Sequence, residues 1–191
     1  MTAPFLLTPL NVSHNRSDFV CGSPALDGYF KKQVTQDIRR KVTACFVAVA
    51  DDKRIAGYYT LASASVLLSD LPEKTSKKLP RYPTVPAVRL GRLAVDQSFK
   101  GQGLGGALLA DAFLRASRSE IAAYALIVDA KDQQAVSFYE HHGFILFPNS
   151  PLMLFLPLTN SQSFGILEPH NQENIVLSVE EQNEIIKNRD I

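Results

Sequence analysis

Two cysteines among 191 residues, Cys21 and Cys45, are too few and too isolated for a disulfide framework, and neither belongs to a CxxC or Cys/His cluster. Both are expected to be reduced, buried thiols, and no metal site is expected. No apolar run approaches the ~20 residues of a membrane span, and no secretory leader opens the chain, so a soluble, cytoplasmic protein without membrane attachment is expected. Internal repeats and low-complexity segments are absent. Charge of either sign is not in excess either, with 20 Lys and Arg against 19 Asp and Glu for a net +1.

That near-neutrality conceals a split. From Asn160 to Ile191 six acids (Glu168, Glu173, Glu180, Glu181, Glu184, Asp190) face only Lys187 and Arg189, so the tail carries −4 and the rest of the chain +5. A basic body suggests a polyanionic partner, and an acidic tail could mask it. With 46% hydrophobic and 9% aromatic residues the chain can bury the core of one ordinary domain. Residues 1–158 are expected to be a single α/β domain and 159–191 an acidic, partly helical tail, with Val176 to Ile186 as its amphipathic stretch.

Phe5 to Val12 suits a first strand. Ser23 followed by Pro24 marks a helix start, with Leu26, Tyr29 and Phe30 on one face, and a second helical piece runs from Gln33 to Arg40. Val42 to Ala50 and Arg54 to Ser65 are β-rich runs joined by a hairpin at Asp51-Asp52-Lys53. Leu71 to Pro86, with four prolines and four basic residues, is expected to be irregular. Val85 to Val95 returns to strand and leads to a helix from about Gly105 to Ser119. Tyr124 to Ala130 reads as a buried strand, and Asp132 to His142 as a helix closed by Gly143. Strands around Phe144 and Leu152 complete the domain.

The stretch that organises these elements is Arg92 to Asp111, a strand, a glycine-rich turn and the start of a helix. Gly101, Gly103, Gly105 and Gly106 remove side chains where backbone N–H groups can converge on an anion at the positive end of the helix. Gly101-Gln-Gly-Leu-Gly lacks the dinucleotide spacing, and no Walker lysine follows, so hydride transfer and nucleotide hydrolysis lose support. A pyrophosphate held on backbone amides remains.

Lys100-Gly-Gln-Gly-Leu-Gly-Gly after Leu93-Ala-Val, followed by Ala135-Val-Ser-Phe-Tyr-Glu-His-His-Gly-Phe, resembles the GNAT superfamily of acetyl-CoA-dependent N-acetyltransferases. With Phe19-x-Cys-Gly, Leu26-Asp, Gly57-Tyr-Tyr-Thr-Leu-Ala and Arg92-Leu-Ala-Val, the chain resembles more narrowly the GNAT toxins of bacterial toxin-antitoxin modules, over residues 5–158. The resemblance implies an α/β fold with a mixed, mostly antiparallel twisted sheet of 6–7 strands, flanked by about four helices and splayed at the cofactor site. It implies acetylation of the α-amino group of aminoacyl-tRNA, which blocks translation. It also implies a homodimer paired with a ribbon-helix-helix antitoxin, reaching DNA only through that complex.

By the same resemblance, Leu93, Ala94 and Val95 pair with the pantetheine arm of acetyl-CoA, and Lys100, Gly101, Gln102, Gly103, Leu104, Gly105 and Gly106 surround its pyrophosphate. Asp129 and Ser137 complete the cofactor contacts. Tyr139 is the implied general acid, since a phenol with a pKa near 10 is protonated at neutral pH and can supply a proton to departing thiolate. On spacing alone it is equally a packing tyrosine. The strand Val88 to Val95 carries Arg89 and Arg92 and no glutamate base, which favours an α-amine, with pKa near 7.7–8.0, over a lysine. A water relay from Glu140, His141 or Asp129 stays open, although His141 and His142 read better as a solvated helix end. Arg39, Arg40, Lys41, Lys77, Lys78, Arg81, Arg89 and Arg92 are the candidate tRNA contacts, provided that they share a face. Two rival readings remain: acetylation of a protein N-terminus or small amine, and a non-enzymatic CoA-binding or interaction protein.

Overall fold

The structure, a computed structural model, describes residues 5–160; the tail, with its amphipathic stretch, lies outside them. Seven strands form one sheet in the order β1-β2-β3-β4-β5-β7-β6. The strands are β1 (Leu6–Pro9), β2 (Ala44–Val49), β3 (Ile55–Leu67), β4 (Thr84–Val95), β5 (Ala125–Asp129), β6 (Ile145–Phe147) and β7 (Ser150–Pro157). Every neighbouring pair is antiparallel except β4 and β5, which are parallel. A parallel pair needs a long crossover, and it is the helix α4 (Leu104–Ser117) that carries the chain from β4 back to β5.

Helices lie on both faces. Leu104, Leu108, Leu109 and Phe113 of α4 are fully or almost fully buried against Tyr59, Leu90, Leu126 and Leu154 on one face of the sheet, joined there by Val136 of α5 (Gln133–His141). On the other face α1 (Pro24–Lys32) and α2 (Val34–Arg39) bury Tyr29, Phe30 and Val34 against Val47, Tyr58 and Ala94. Alternation along β4 and β5 sorts these contacts, Leu90 and Val128 facing α4 while Ala87 and Ile127 face away. The far end of the second face is covered by the segment between β3 and β4, through Leu68, Leu71 and Leu79.

That segment, expected to be irregular, contains a one-turn helix α3 (Glu73–Ser76) started by Pro72, and β4 begins within it at Thr84. Five helices therefore flank the sheet among the described residues, where about four were expected. Asp132 caps α5, its carboxylate accepting from the Ala135 N–H at 2.8 Å, and Gly143 follows the helix with φ +87°. His142 is the departure at this end. It is 7% exposed, not solvated, with its Nδ1 2.8 Å from the Phe138 carbonyl oxygen, because the ring folds back over the last turn and covers apolar surface.

One irregularity positions the site. Thr60 pairs with Arg92 and Leu61 with Leu90, so Gly91 is an extra residue in β4 without a counterpart on β3. A Cβ there would lie 3.1 Å from Thr60 Oγ1. Pairing of β4 with β5 covers Ala87 to Leu90 and stops where the bulge begins. From Gly91 to Val95 the β5 side of β4 is left without a strand partner among the described residues.

Candidate functional site

The unpaired edge of β4 leads directly into the glycine turn. Asp96 caps the short 3-10 turn Gln97–Phe99 through its Oδ1, which accepts from the Ser98 N–H at 2.9 Å. Its Oδ2 accepts from the Val20 N–H at 2.8 Å, and Gln97 N–H donates to the Val20 carbonyl at 2.8 Å. The Phe19-Val-Cys-Gly segment is thereby fastened to the turn. Lys100 adds to the clasp, its ammonium donating to the Cys21 carbonyl at 2.7 Å. The lysine thus spends one hydrogen bond on the fold and keeps its positive charge at the start of the turn.

Gly101 and Gly103 have φ of +75° and +77°, a left-handed conformation that L side chains rarely adopt. Two such residues in a short span fold the chain so that α4 starts at Leu104 with no side-chain cap. The N–H groups from Gly101 to Gly106 have no hydrogen-bond acceptor among the described residues. A ring of free donors at the positive end of a 14-residue helix can hold a pyrophosphate. Residues 100–106 are therefore brought together as the sequence suggested, next to Leu93, Ala94 and Val95.

Tyr59 pairs with Leu93 across the sheet, and its hydroxyl donates to Asp111 on α4. Arg115 Nε donates to the same carboxylate at 2.9 Å while its guanidinium lies 4.2 Å from the centroid of Phe46. Burial, reinforced by the neighbouring carboxylate, pushes the Tyr59 phenol far up, so it stays a donor at any physiological pH. This network locks α4 in register over β3 and β4. Gly57 makes the close approach possible: a Cβ there would be 2.8 Å from Leu108 Cδ1 and 3.0 Å from the Ala94 carbonyl oxygen.

On the same face α5 brings Phe138 against Gly105 and Val95. The next residue, Tyr139, is partly buried and packs against the apolar core with its ring 5.2 Å from Phe138 and 5.4 Å from Phe144. Its hydroxyl makes no hydrogen bond to the described residues, and burial pushes its pKa up to about 12. A protonated phenol with no protein partner has a proton available to a basic acceptor. Ser137 is exposed and its hydroxyl is turned back to the Gln133 carbonyl at 3.1 Å.

The other sequence-derived residues are on the opposite face. Arg92 stacks on Tyr29, its guanidinium carbon 3.4 Å from the ring centroid, and Tyr29 donates to Asp37 at 3.0 Å. Arg89 is ion-paired with Asp129, the last residue of β5, so the Asp129 carboxylate is on this face and not on that of α4. Exposed Arg39, Arg40 and Lys41 follow at the end of α2; exposed Lys77, Lys78 and Arg81 sit in the β3–β4 segment, with Lys77 paired to Glu73 at 2.6 Å. All eight basic residues belong to β4 or to elements covering one face of the sheet. Sequence reasoning missed Asp96, although an aspartate two residues before a serine at a turn is a recognisable cap. It also missed Tyr29 as the platform for Arg92, for which the 62 intervening residues leave no local signal.

Residues 24–152 match the family described as "Acetyltransferase (GNAT) domain". The chain belongs to the GNAT acetyltransferases. Its similarity to curated GNAT proteins includes 36% identity over 149 residues to a "tRNA-acetylating toxin" of Mycobacterium tuberculosis, spanning 77% of this chain and 88% of that protein. It is 31% identical over 169 residues to a "Probable toxin TacT" of Sinorhizobium fredii, spanning 83% and 93%. Among solved structures, a tyrosine-to-phenylalanine mutant of KacT superposes with a TM-score of 0.75 at 30% identity, over 82% of this chain and 96% of that one. "AtaT complexed with acetyl-methionyl-tRNAfMet" gives the same TM-score and identity over 81% and 95%. AtaT has also been solved with acetyl-CoA and with its antitoxin AtaR. The expected acetyltransferase fold is thus the one observed, including a sheet whose β4 and β5 part after Leu90 and Val128. No group of three or more His, Cys, Asp or Glu residues suited to a metal occurs among the described residues, and none of their helices is long and apolar enough to cross a membrane.

Proposed function

We propose that this GNAT protein is a toxin that transfers the acetyl group of acetyl-CoA to the α-amino group of an aminoacyl-tRNA and so blocks translation. The supporting observation is the chemical division of the sheet. One face offers an anion cradle and, on α5, a phenol without a protein partner; the other carries eight basic side chains, of which Arg89 and Arg92 flank the point where β4 and β5 part. Leu93 to Val95 pair with the pantetheine arm through their unpartnered backbone edge, and the amides of residues 101–106 hold the pyrophosphate with Lys100 nearby.

In the reaction the neutral α-amine attacks the thioester carbonyl, the C–S bond breaks, and Tyr139 gives its proton to the leaving sulfur. A phenol with pKa about 12 is a weak acid, but an emerging thiolate in the same apolar pocket is made more basic by the same desolvation, which keeps the transfer matched. The attacking amine passes its surplus proton to water at the open, basic face. By extension from the AtaT structures solved with the antitoxin AtaR and with DNA, an antitoxin neutralises the toxin and contact with DNA is made through that complex; a ribbon-helix-helix antitoxin and a homodimeric toxin are what the family resemblance implies.

Incubating the full chain with labelled acetyl-CoA and total charged tRNA tests the substrate. Label is expected on the amino acid of one or a few tRNA species, and sequencing those species names the substrate. Label confined to proteins or small amines would overturn the assignment.

A further inference from the structure

With acetyl-CoA placed as proposed, its sulfur beside Tyr139, the acceptor amine has the opposite side of the thioester open to it. With the leaving sulfur beside α5, the parting of β4 and β5 opens onto the face where Arg89, Arg92 and Asp129 sit. Asp129 is the last residue of β5 and Arg89 the penultimate residue of β4 to pair with it, so their ion pair sits at the point where the two strands part. The Asp129 carboxylate sits at that point, whereas Asp37, on the same face, is taken up by the Tyr29 hydroxyl. Its side chain is 53% exposed and that of Arg89 37%, so neither is sealed in the core.

We infer that Asp129, held in place by Arg89, anchors the α-ammonium group of the acceptor. The inference rests on the proposed aminoacyl-tRNA substrate. A carboxylate oxygen accepts hydrogen bonds from an ammonium or an amine, and it offers nothing equivalent to a phosphate or to a backbone carbonyl. Alone, such a carboxylate would hold the amine in its charged, non-nucleophilic form. The Arg89 guanidinium offsets that effect. The pair is electrically neutral as a unit, so it orients the nitrogen without strongly favouring its protonation. Arg89 keeps further N–H donors for the phosphate of the terminal nucleotide, to which the amino acid is esterified. A two-point clamp of this kind recognises an amine and a phosphate at a fixed separation, which is the chemical signature of a charged tRNA end as opposed to a free amino acid or a peptide.

The test compares an aminoacyl-tRNA with the same tRNA carrying the corresponding α-hydroxy acid, made by nitrous acid deamination, as competitors in acetylation assays of the full chain and of its Asp129→Asn variant. The unmodified chain is expected to prefer the amine over the hydroxyl form by about ten- to a hundredfold, the worth of a hydrogen bond to a charged group. Asp129→Asn is expected to lose that preference by raising KM for aminoacyl-tRNA, with affinity for the hydroxyacyl form and for acetyl-CoA unchanged. A variant that keeps the preference overturns the anchor alone, as does one that loses the two tRNA forms and acetyl-CoA together, the mark of a merely structural ion pair. An unmodified chain that does not acetylate charged tRNA at all overturns both the anchor and the proposed substrate.

Discussion

Replacing Tyr139 with phenylalanine removes one oxygen atom and nothing else from the α5 side of the site. Because the hydroxyl bonds to none of the described residues, its loss orphans no donor or acceptor in the protein. The ring contacts with Phe138 and Phe144 are kept. Stability should therefore be unchanged or slightly raised, since an unpaired hydroxyl in an apolar site costs roughly 1–3 kcal/mol that phenylalanine does not incur. The cradle and the β4 edge are untouched, so the Kd for acetyl-CoA should stay within about twofold, far below the tenfold that 1.4 kcal/mol would produce. Turnover should fall by about 10²–10⁴, the usual worth of general acid catalysis, or ~2.7–5.4 kcal/mol of barrier at 1.36 kcal/mol per decade. Calorimetric titration with acetyl-CoA, a thermal melt and single-turnover acetylation of charged tRNA measure the three quantities separately. A variant keeping more than about a tenth of kcat shows that Tyr139 supplies none of the expected acid catalysis. A variant that melts earlier and binds acetyl-CoA poorly shows a packing residue instead.

Because burial raises the Tyr139 pKa to about 12, its contribution to stability is complete below the unfolded value of about 10 and is lost as pH rises through about 12; the difference in ultraviolet titration between the native chain and Tyr139→Phe should show a phenolate appearing near the upper value, and one near 10 would refute the burial. For the same reason kcat should rise through about pH 8 as the α-amine loses its proton and show no fall by about pH 10. Reversing Lys77 and Lys78 to glutamate should weaken tRNA binding and flatten its dependence on salt by up to about two phosphate contacts, measured as the slope of log K against log salt, while acetyl-CoA binding stays the same; equal loss of both would sink the basic-face assignment. Gly57→Ala should cost about 1–3 kcal/mol in urea unfolding, because the new methyl meets Leu108 and the Ala94 backbone at once, and an unmoved midpoint would mean that α4 sits farther from the sheet than described.

The parts legible in the sequence were those written in local spacing. Gly101 and Gly103 can be read as left-handed positions because few other residues tolerate them, and the alternation along β4 shows which residues pack. The parting of the sheet was expected from the family resemblance, but the unmatched Gly91 at which it begins depends on how β3 pairs with β4 and has no mark in β4 alone. The basic residues were visible as a set; their common face was not, since it depends on two helices and a long connection folding over the same side. His142 was misread for a similar reason. A histidine at a helix end is polar by composition, and only the fold reveals that its ring turns back onto Phe138.

The seven-stranded sheet has one narrow seam. Strand pairing between β1–β4 and β5–β7 is confined to Ala87–Leu90 against Ala125–Val128, and the core under α4 bridges it through Leu126 and Leu154. Acetyl-CoA held as proposed, on the amides at the start of α4 and beside α5, would span that seam as a staple does, so the cohesion of the enzyme is tied to its own fuel. A hundredfold excess of acetyl-CoA over Kd would then add about 2.7 kcal/mol to the stability of the fold, and its withdrawal would loosen that seam.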